Sequence, residues 1–218
     1  IIGVNGCGKS TLLKAILGIL SLSNGEIFID GENLLTISRN EIAKKIAYLS
    51  QGKNIPDMTV EQMVLHGRFP YLSYPRRYSS HDREVAIKAM EIVGVAEFAH
   101  KPLYSLSGGM RQNAYIAMAL AQDTDYILLD EPTTYLDIAH QLELMRILRK
   151  LADSGKGIVT VMHNLPIAFD FSDKLTVMSN GGIIAYGTPS EICESHIVED
   201  IFGVKIKQVQ KGKYLYEY

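Results

Sequence analysis

Three glycines fall within six residues near the start of the chain, in the run Gly3-Val4-Asn5-Gly6-Cys7-Gly8-Lys9-Ser10. Preceded by strand-like Ile1-Ile2 and followed by helix-forming Thr11-Leu12-Leu13-Lys14-Ala15-Ile16, this spacing admits little besides a strand, a tight turn and a helix. Only glycines let main-chain N–H groups turn inward and approach an anion closely, and the helix that starts at Ser10 adds the positive end of its dipole. The pattern is that of a phosphate-binding loop for a nucleoside triphosphate. Lys9 would reach the β and γ phosphates and the Ser10 hydroxyl would ligate Mg²⁺, so Asn5, Gly6, Cys7, Gly8, Lys9, Ser10 and Thr11 are the candidate nucleotide-binding residues. Cys7 lies among inward-turned amides beside Lys9. Two readings stay open for it: a thiol whose alkylation blocks nucleotide entry, or a small residue at a variable position.

Composition excludes several alternatives. With 218 residues, 47% of them hydrophobic, the chain can bury a core and is not disordered. Its 22 Lys and Arg against 24 Asp and Glu leave a net charge of −2, so no polybasic field points to nucleic acid or an anionic membrane. The longest apolar run is the eight residues Ala114 to Ala121, far short of the roughly 20 needed to span a bilayer. Cys7 and Cys193 stand far apart and form no disulfide framework, which suits a reducing, cytosolic setting. The chain opens at Ile1 with no signal peptide and no initiator Met, so residue 1 is expected to lie inside a strand of a longer protein.

Strand and helix signals alternate, interrupted by one helical block. A first helix over Ser10 to Leu17 stops near Gly18, and the Asn24-Gly25 turn launches the strand Gly25 to Asp30. Ser38 and Glu41 form a capping box before the strand Ile46 to Gln51, and Thr59 with Gln62 offers a second. From Gly52 to about Ser105 the strand signal fades. The segment Asp82 to Val93 places Ala86, Ala89, Met90 and Val93 on one helical face, with Gly94 past its end. After Ser107 alternation resumes with the strand Asp125 to Asp130, a helix with Ile138, Leu142, Met145 and Leu148 on its apolar side, the strand Gly157 to His163, a hairpin turning at Asn180-Gly181, and a tail of helix and short strands. The expectation is one α/β domain: a core with a mainly parallel sheet over 1–51 and 112–218, and an inserted α-helical subdomain over 52–111.

Two more motifs carry chemistry. The run Tyr126-Ile127-Leu128-Leu129-Asp130-Glu131 is an apolar parallel strand ending in two acids, where α/β sheets present their chemistry. Asp130 can hold Mg²⁺ through its water shell and Glu131 can polarise an attacking water. In Leu106-Ser107-Gly108-Gly109-Met110, Ser107 is the expected N-cap of the next helix, with two glycines exposing N–H groups to an anion. His66, His81, His100, His140 and His196 show no metal-ligand spacing and read as surface or packing residues.

Taken together, the whole chain resembles the ATP-binding subunit of ABC transporters. Gly3 to Thr11 resembles its Walker A motif, Gln51 in Tyr48-Leu49-Ser50-Gln51 the Q-loop glutamine, and Leu106 to Met110 the signature motif. Tyr126 to Glu131 resembles Walker B, Tyr135-Leu136-Asp137 the D-loop, and His163 the switch histidine. The stretch Asp130 to Gln141, together with His66 to Tyr71, looks most like importers of ferric siderophores, haem or cobalamin. The chain departs from the pattern at Met110, where glutamine is usual, at Asn164, where aspartate is, and in lacking the N-terminal segment that in the family supplies β strands of a small antiparallel part and an aromatic residue that stacks on adenine, a role that the sequence assigns to neither Tyr48 nor any other residue here.

The resemblance implies a P-loop NTPase fold with ATP and Mg²⁺, Lys9, Gln51, Glu131 and His163 as catalytic residues, and Ser10, Gln51 and Asp130 as the magnesium side. It implies a second ATP-binding subunit, head to tail, whose Ser107, Gly108 and Gly109 close on the nucleotide held by the first. Integral-membrane permease subunits would dock on the helical subdomain, with Gly67 to Tyr78 as the candidate surface, and a substrate-binding protein would act indirectly. The setting would be the cytoplasmic side of the cell membrane. Two other readings are a nucleotide-gated regulatory module without productive turnover, and a chromosome-maintenance ATPase. The second requires a long coiled coil, whereas only 55 residues separate Gln51 from Ser107, without sustained heptads.

Overall fold

The computed structural model describes residues 1–50, 55–134, 136–210 and 212–217. The chain opens with β1 (Ile2–Gly3) and α1 (Lys9–Ile16), followed by a small hairpin of β2 (Phe28–Ile29) and β3 (Glu32–Asn33), α2 (Arg39–Lys45) and β4 (Ile46–Leu49). The helical stretch comprises α3 (Val60–Leu65), a 3₁₀ turn over His66–Tyr71, α4 (Ser80–Ile92) and α5 (Gly108–Ala121). Next come β5 (Tyr126–Asp130), α6 (Ile138–Asp153), β6 (Gly157–Val161), α7 (Leu165–Phe171), β7 (Leu175–Ser179) and β8 (Gly182–Gly187). The tail holds α8 (Pro189–Glu194), α9 (Ile197–Phe202) and the antiparallel pair β9 (Lys205–Gln210) and β10 (Lys213–Glu217).

The central strands are parallel: β4 beside β5 beside β6, and β1 beside β7, with β8 antiparallel at the edge. Ile1 joins the two groups, since its carbonyl accepts from the Met162 N–H and its amino group donates to the Thr160 carbonyl. Both faces of this sheet are covered, and β5 shows why its sequence is continuously apolar. Ile127 and Leu129 pack into the larger core with α5 and α6, while Leu128 points the other way, to Leu13 of α1, Ile42 of α2 and Ile46. The result is the expected α/β architecture, with helices on both sides of a mainly parallel sheet.

Local signals set most element ends. The capping boxes at Ser38–Glu41 and Thr59–Gln62 are both formed. Helix α4 begins earlier than its apolar periodicity suggests, because Ser79 and Asp82 make a further box ahead of the first apolar residue. Ile138 departs from expectation. It is the first residue of α6, directly after the capping Asp137, and is 70% exposed, while Leu144, Met145, Leu148 and Leu151 make the buried stripe. The strand expected over 157–163 ends its ladder at Val161, where the chain turns towards α7.

The helical stretch is fastened by a buried ion pair. Arg68, on the 3₁₀ turn, donates through Nε to Asp82 Oδ1 at 2.9 Å and through Nη1 to the Ala121 carbonyl at 3.0 Å, and its guanidinium stacks over the Tyr71 ring. Arg68 was expected on a docking surface. Instead it faces inward, because Asp82 of α4 and the end of α5 supply partners for its charge. Burial alone pushes the Asp82 carboxyl up, but hydrogen bonds from Arg68 and Ser79 and the guanidinium charge more than offset this and hold it at about 2.

A carboxyl held below its usual value stabilises the fold above pH ~4 and loses that contribution as pH falls from ~4 towards 2. Asp82→Asn should therefore flatten the acid limb of a stability–pH profile between those values. Arg68→Ala leaves a buried carboxylate without its counter-charge and should lower stability by about 3–5 kcal/mol in urea unfolding; a loss under about 1 kcal/mol would refute the assignment.

Candidate functional site

The phosphate-loop sequence builds a turn in which the glycines are sterically required. Gly6 and Gly8 have φ of +78° and +98°. A Cβ on Gly3 would lie 2.4 Å from the Met178 carbonyl oxygen of β7 and 2.7 Å from Cys7 Sγ. Lys9, the first residue of α1, is buried, and its ammonium donates to the Gly3 and Val4 carbonyls, each at 2.9 Å. The Cys7 side chain points into the protein and is 4% exposed, which favours, of its two readings, a small packed residue over a thiol whose alkylation blocks nucleotide entry. The turn at Gly6 and Gly8 aims main chain outward and sends the intervening side chain in.

At the ends of the parallel strands the acids meet this loop. Ser10 Oγ donates to Asp130 Oδ1 at 3.0 Å, and the Tyr48 phenol donates to Asp130 Oδ2 at 3.4 Å. Burial, and after it the neighbouring Asp130 carboxylate, push the Tyr48 phenol up to about 12, so it remains an O–H donor. Glu131 has φ +53°, a conformation uncommon outside glycine and typical of strained functional positions. Its carboxylate meets His163 Nε2 at 2.5 Å and accepts from Thr134 Oγ1 at 3.3 Å. His163 stands just beyond β6, and Asn164 after it caps α7 by accepting from the Ile167 N–H. The departure from aspartate at 164 thus keeps a side-chain oxygen in the capping role.

A cavity of about 390 Å³ is lined by Asn5, Gly6, Gly8, Lys9, Ser10, Thr11, Glu131 and His163. The structure thereby brings together the phosphate loop, one acid and one histidine that are scattered over 159 positions of sequence. Ser107, Gly108 and Gly109 do not line it. They form the start of α5, where Ser107 Oγ accepts from the Met110 N–H at 3.3 Å and Gly108 is exposed. Met110 packs against the hydrophobic core, which accounts for an apolar residue where glutamine is usual. A Cβ on Gly109 would come 2.5 Å from the His140 ring, whose Nδ1 is bound to Asp137, so a side chain there would force that ring to shift. Gln51, read as a catalytic and magnesium residue, and Tyr135 of the D-loop run lie outside the described residues.

The donor set suits a hard divalent cation: the Ser10 hydroxyl and the Asp130 carboxylate present oxygens side by side next to the phosphate loop. No cluster of three or more metal-binding His, Cys, Asp or Glu occurs among the described residues. Sequence reasoning missed the Tyr48 and Thr134 contacts. Both depend on side chains that converge only after β4 and β5 pair and the loop beyond Asp130 turns back.

Native Cys7 should react with a disulfide reagent at least ~100-fold more slowly than a free thiol, at a rate set by opening of the loop. A labelling time course on a Cys193→Ser variant checks this, and rapid stoichiometric labelling of the folded protein would contradict the burial.

The sequence profile of the family described as ABC transporter matches residues 1–134. The petrobactin import ATP-binding protein FpuD of Bacillus anthracis is 42% identical over 203 residues, 92% of this chain and 74% of that protein. The ferric enterobactin transport ATP-binding protein FepC of Escherichia coli K12 is 40% identical over 207 residues, 94% of this chain and 76% of that one. Among solved structures, a metal-chelate type ABC transporter in an inward-facing conformation superposes with a TM-score of 0.83 at 28% identity, covering 100% of this chain and 86% of that chain. A dimeric bacterial ABC transporter cassette does so with a TM-score of 0.73, also at 28% identity, covering 86% and 83%. The chain belongs to the ABC transporter family, as one of its ATP-hydrolysing subunits.

Proposed function

We propose that this chain powers the import of a ferric siderophore, or of a related haem or cobalamin complex, by binding and hydrolysing ATP at an interface between two head-to-tail copies. The observation that carries the hydrolytic half is the single cavity in which Lys9, Ser10, Glu131 and His163 converge. The substrate class rests on the relatives, which include import proteins for petrobactin and ferric enterobactin.

In this reading the phosphate-loop amides and Lys9 bind the β and γ phosphates, and Ser10 and Asp130 hold Mg²⁺ with Gln51. A Mg²⁺ held there would supply positive charge against the β and γ phosphates. Glu131 accepts a proton from the attacking water, and His163, already in contact with Glu131, fixes the carboxylate and faces the γ-phosphate. Ser107, Gly108 and Gly109 stand apart from the cavity and are offered to the nucleotide of the second copy by the start of α5. Loss of the γ-phosphate removes the bridge between copies.

Residues 52–111 form the helical subdomain of this reading and 1–51 with 112–218 its core. No described helix is long and apolar enough to cross a membrane. In this reading solute passes through permease subunits supplied by a substrate-binding protein. The chain sits against them on the cytoplasmic side. Within Gly67 to Tyr78 the exposed residues are Phe69 and the run Ser73 to Arg77, and of these the aromatic and basic side chains of Phe69, Tyr74, Arg76 and Arg77 make the docking candidate. Glu131 and His163 both lining the cavity favours turnover over a purely regulatory nucleotide gate.

Glu131→Gln should spare ATP binding, slow phosphate release by about 10²-fold or more, and trap an ATP-bound dimer on a sizing column. Unchanged turnover would remove Glu131 from its role. Reconstituted with its permease and binding protein, the wild-type should hydrolyse ATP faster when ferric siderophore is supplied, and indifference to all three solutes would discard the import assignment.

A further inference from the structure

The carboxylate of Asp130 has a second donor outside the phosphate loop. Tyr48 lies in β4, in register with Leu128 of β5, two residues before Asp130 on the neighbouring strand. From there its hydroxyl reaches Asp130 Oδ2 at 3.4 Å, while Ser10 Oγ takes Oδ1 at 3.0 Å. Asp130 is 4% exposed, and its two oxygens are thus met by hydroxyls arriving from different elements, a strand and a helix. A carboxylate held through one oxygen can rotate about its Cβ–Cγ bond; held through both, it keeps one plane. The Tyr48 ring packs against the cluster of Leu13, Ile42, Ile46 and Leu128, which fixes where the hydroxyl falls.

We propose that Tyr48 is a positioning residue for the divalent-cation side of the site: its O–H, bonded to Oδ2, sets the Asp130 carboxylate so that Oδ1 stays on Ser10 and the remaining lone pairs face the water shell of the ion. This rests on the reading of Ser10 and Asp130 as the magnesium side. Tyr48 touches neither nucleotide nor reacting water in this scheme, and its effect passes entirely through Asp130. The hydroxyl is separable from the packing, because phenylalanine retains the ring in its apolar cluster and removes only the donor.

The test is Mn²⁺ binding to the complete protein with a non-hydrolysable ATP analogue, followed by the electron paramagnetic resonance of free Mn²⁺. Tyr48→Phe should weaken Mn²⁺ by about 5- to 10-fold, with metal-free nucleotide affinity within about twofold of wild-type. In the ATPase assay half-saturating Mg²⁺ should rise by the same factor, and kcat should recover at excess Mg²⁺. Wild-type Mn²⁺ affinity in Tyr48→Phe overturns the proposal, as does an equal loss of metal-free nucleotide binding, which would mark a merely structural role. Asp130→Asn separates the two layers. If it weakens Mn²⁺ while Tyr48→Phe does not, only the Tyr48 role falls; if it too leaves Mn²⁺ affinity intact, the magnesium reading falls and takes the Tyr48 role with it.

Discussion

A single hydrogen bond from Ser10 Oγ to Asp130 Oδ1 ties the start of α1 to the end of β5 across 120 residues of sequence. Everything at the site is arranged about it. The phosphate loop gains a fixed floor, Asp130 gains a hydroxyl donor, and Glu131, one residue on, is thrown towards His163 by a left-handed turn. The apolar strand beneath supplies the rigidity, since Ile127, Leu128 and Leu129 are locked into cores on opposite faces of the sheet.

What could be read from the residues alone was what depends on short-range spacing. Glycine positions around Lys9, capping boxes at Ser38 and Thr59, the Asn180-Gly181 turn and the acids closing an apolar strand are local events, and the structure bears out those caps and the fold they punctuate. Side-chain direction was harder to read. Cys7 and Arg68 occupy stretches that look open, yet one is turned in by flanking positive-φ glycines and the other drawn in by an aspartate 14 residues away on α4. Tyr48 reaches Asp130 through strand register, a quantity with no local trace. Ile138 fits the period of its helix but sits in the first turn, beyond the reach of the core.

The helical stretch is joined to the sheet through amide side chains. Gln122, at the end of α5, donates to the Ala43 and Ile46 carbonyls where α2 gives way to β4. Asn113, nearer the start of α5, donates to the Val93 carbonyl at the end of α4, while Thr124, accepting from the Ala47 N–H, and the Arg68–Ala121 bond secure the Gln122 end of α5. Neutral amides satisfy buried carbonyls without the desolvation cost of a further charge.

A third amide of α5 has a mechanical corollary. Gln112 of α5 donates to the Pro132 carbonyl at 2.9 Å, and three residues earlier Gly109 abuts the ring of His140 on α6. The helix that begins at Ser107 is therefore braced twice, against the turn carrying Glu131 and against the helix beyond it. Any tilt of α5 must drag that turn along or break both braces, so torque delivered to the outer end of the helix arrives as a displacement of Glu131.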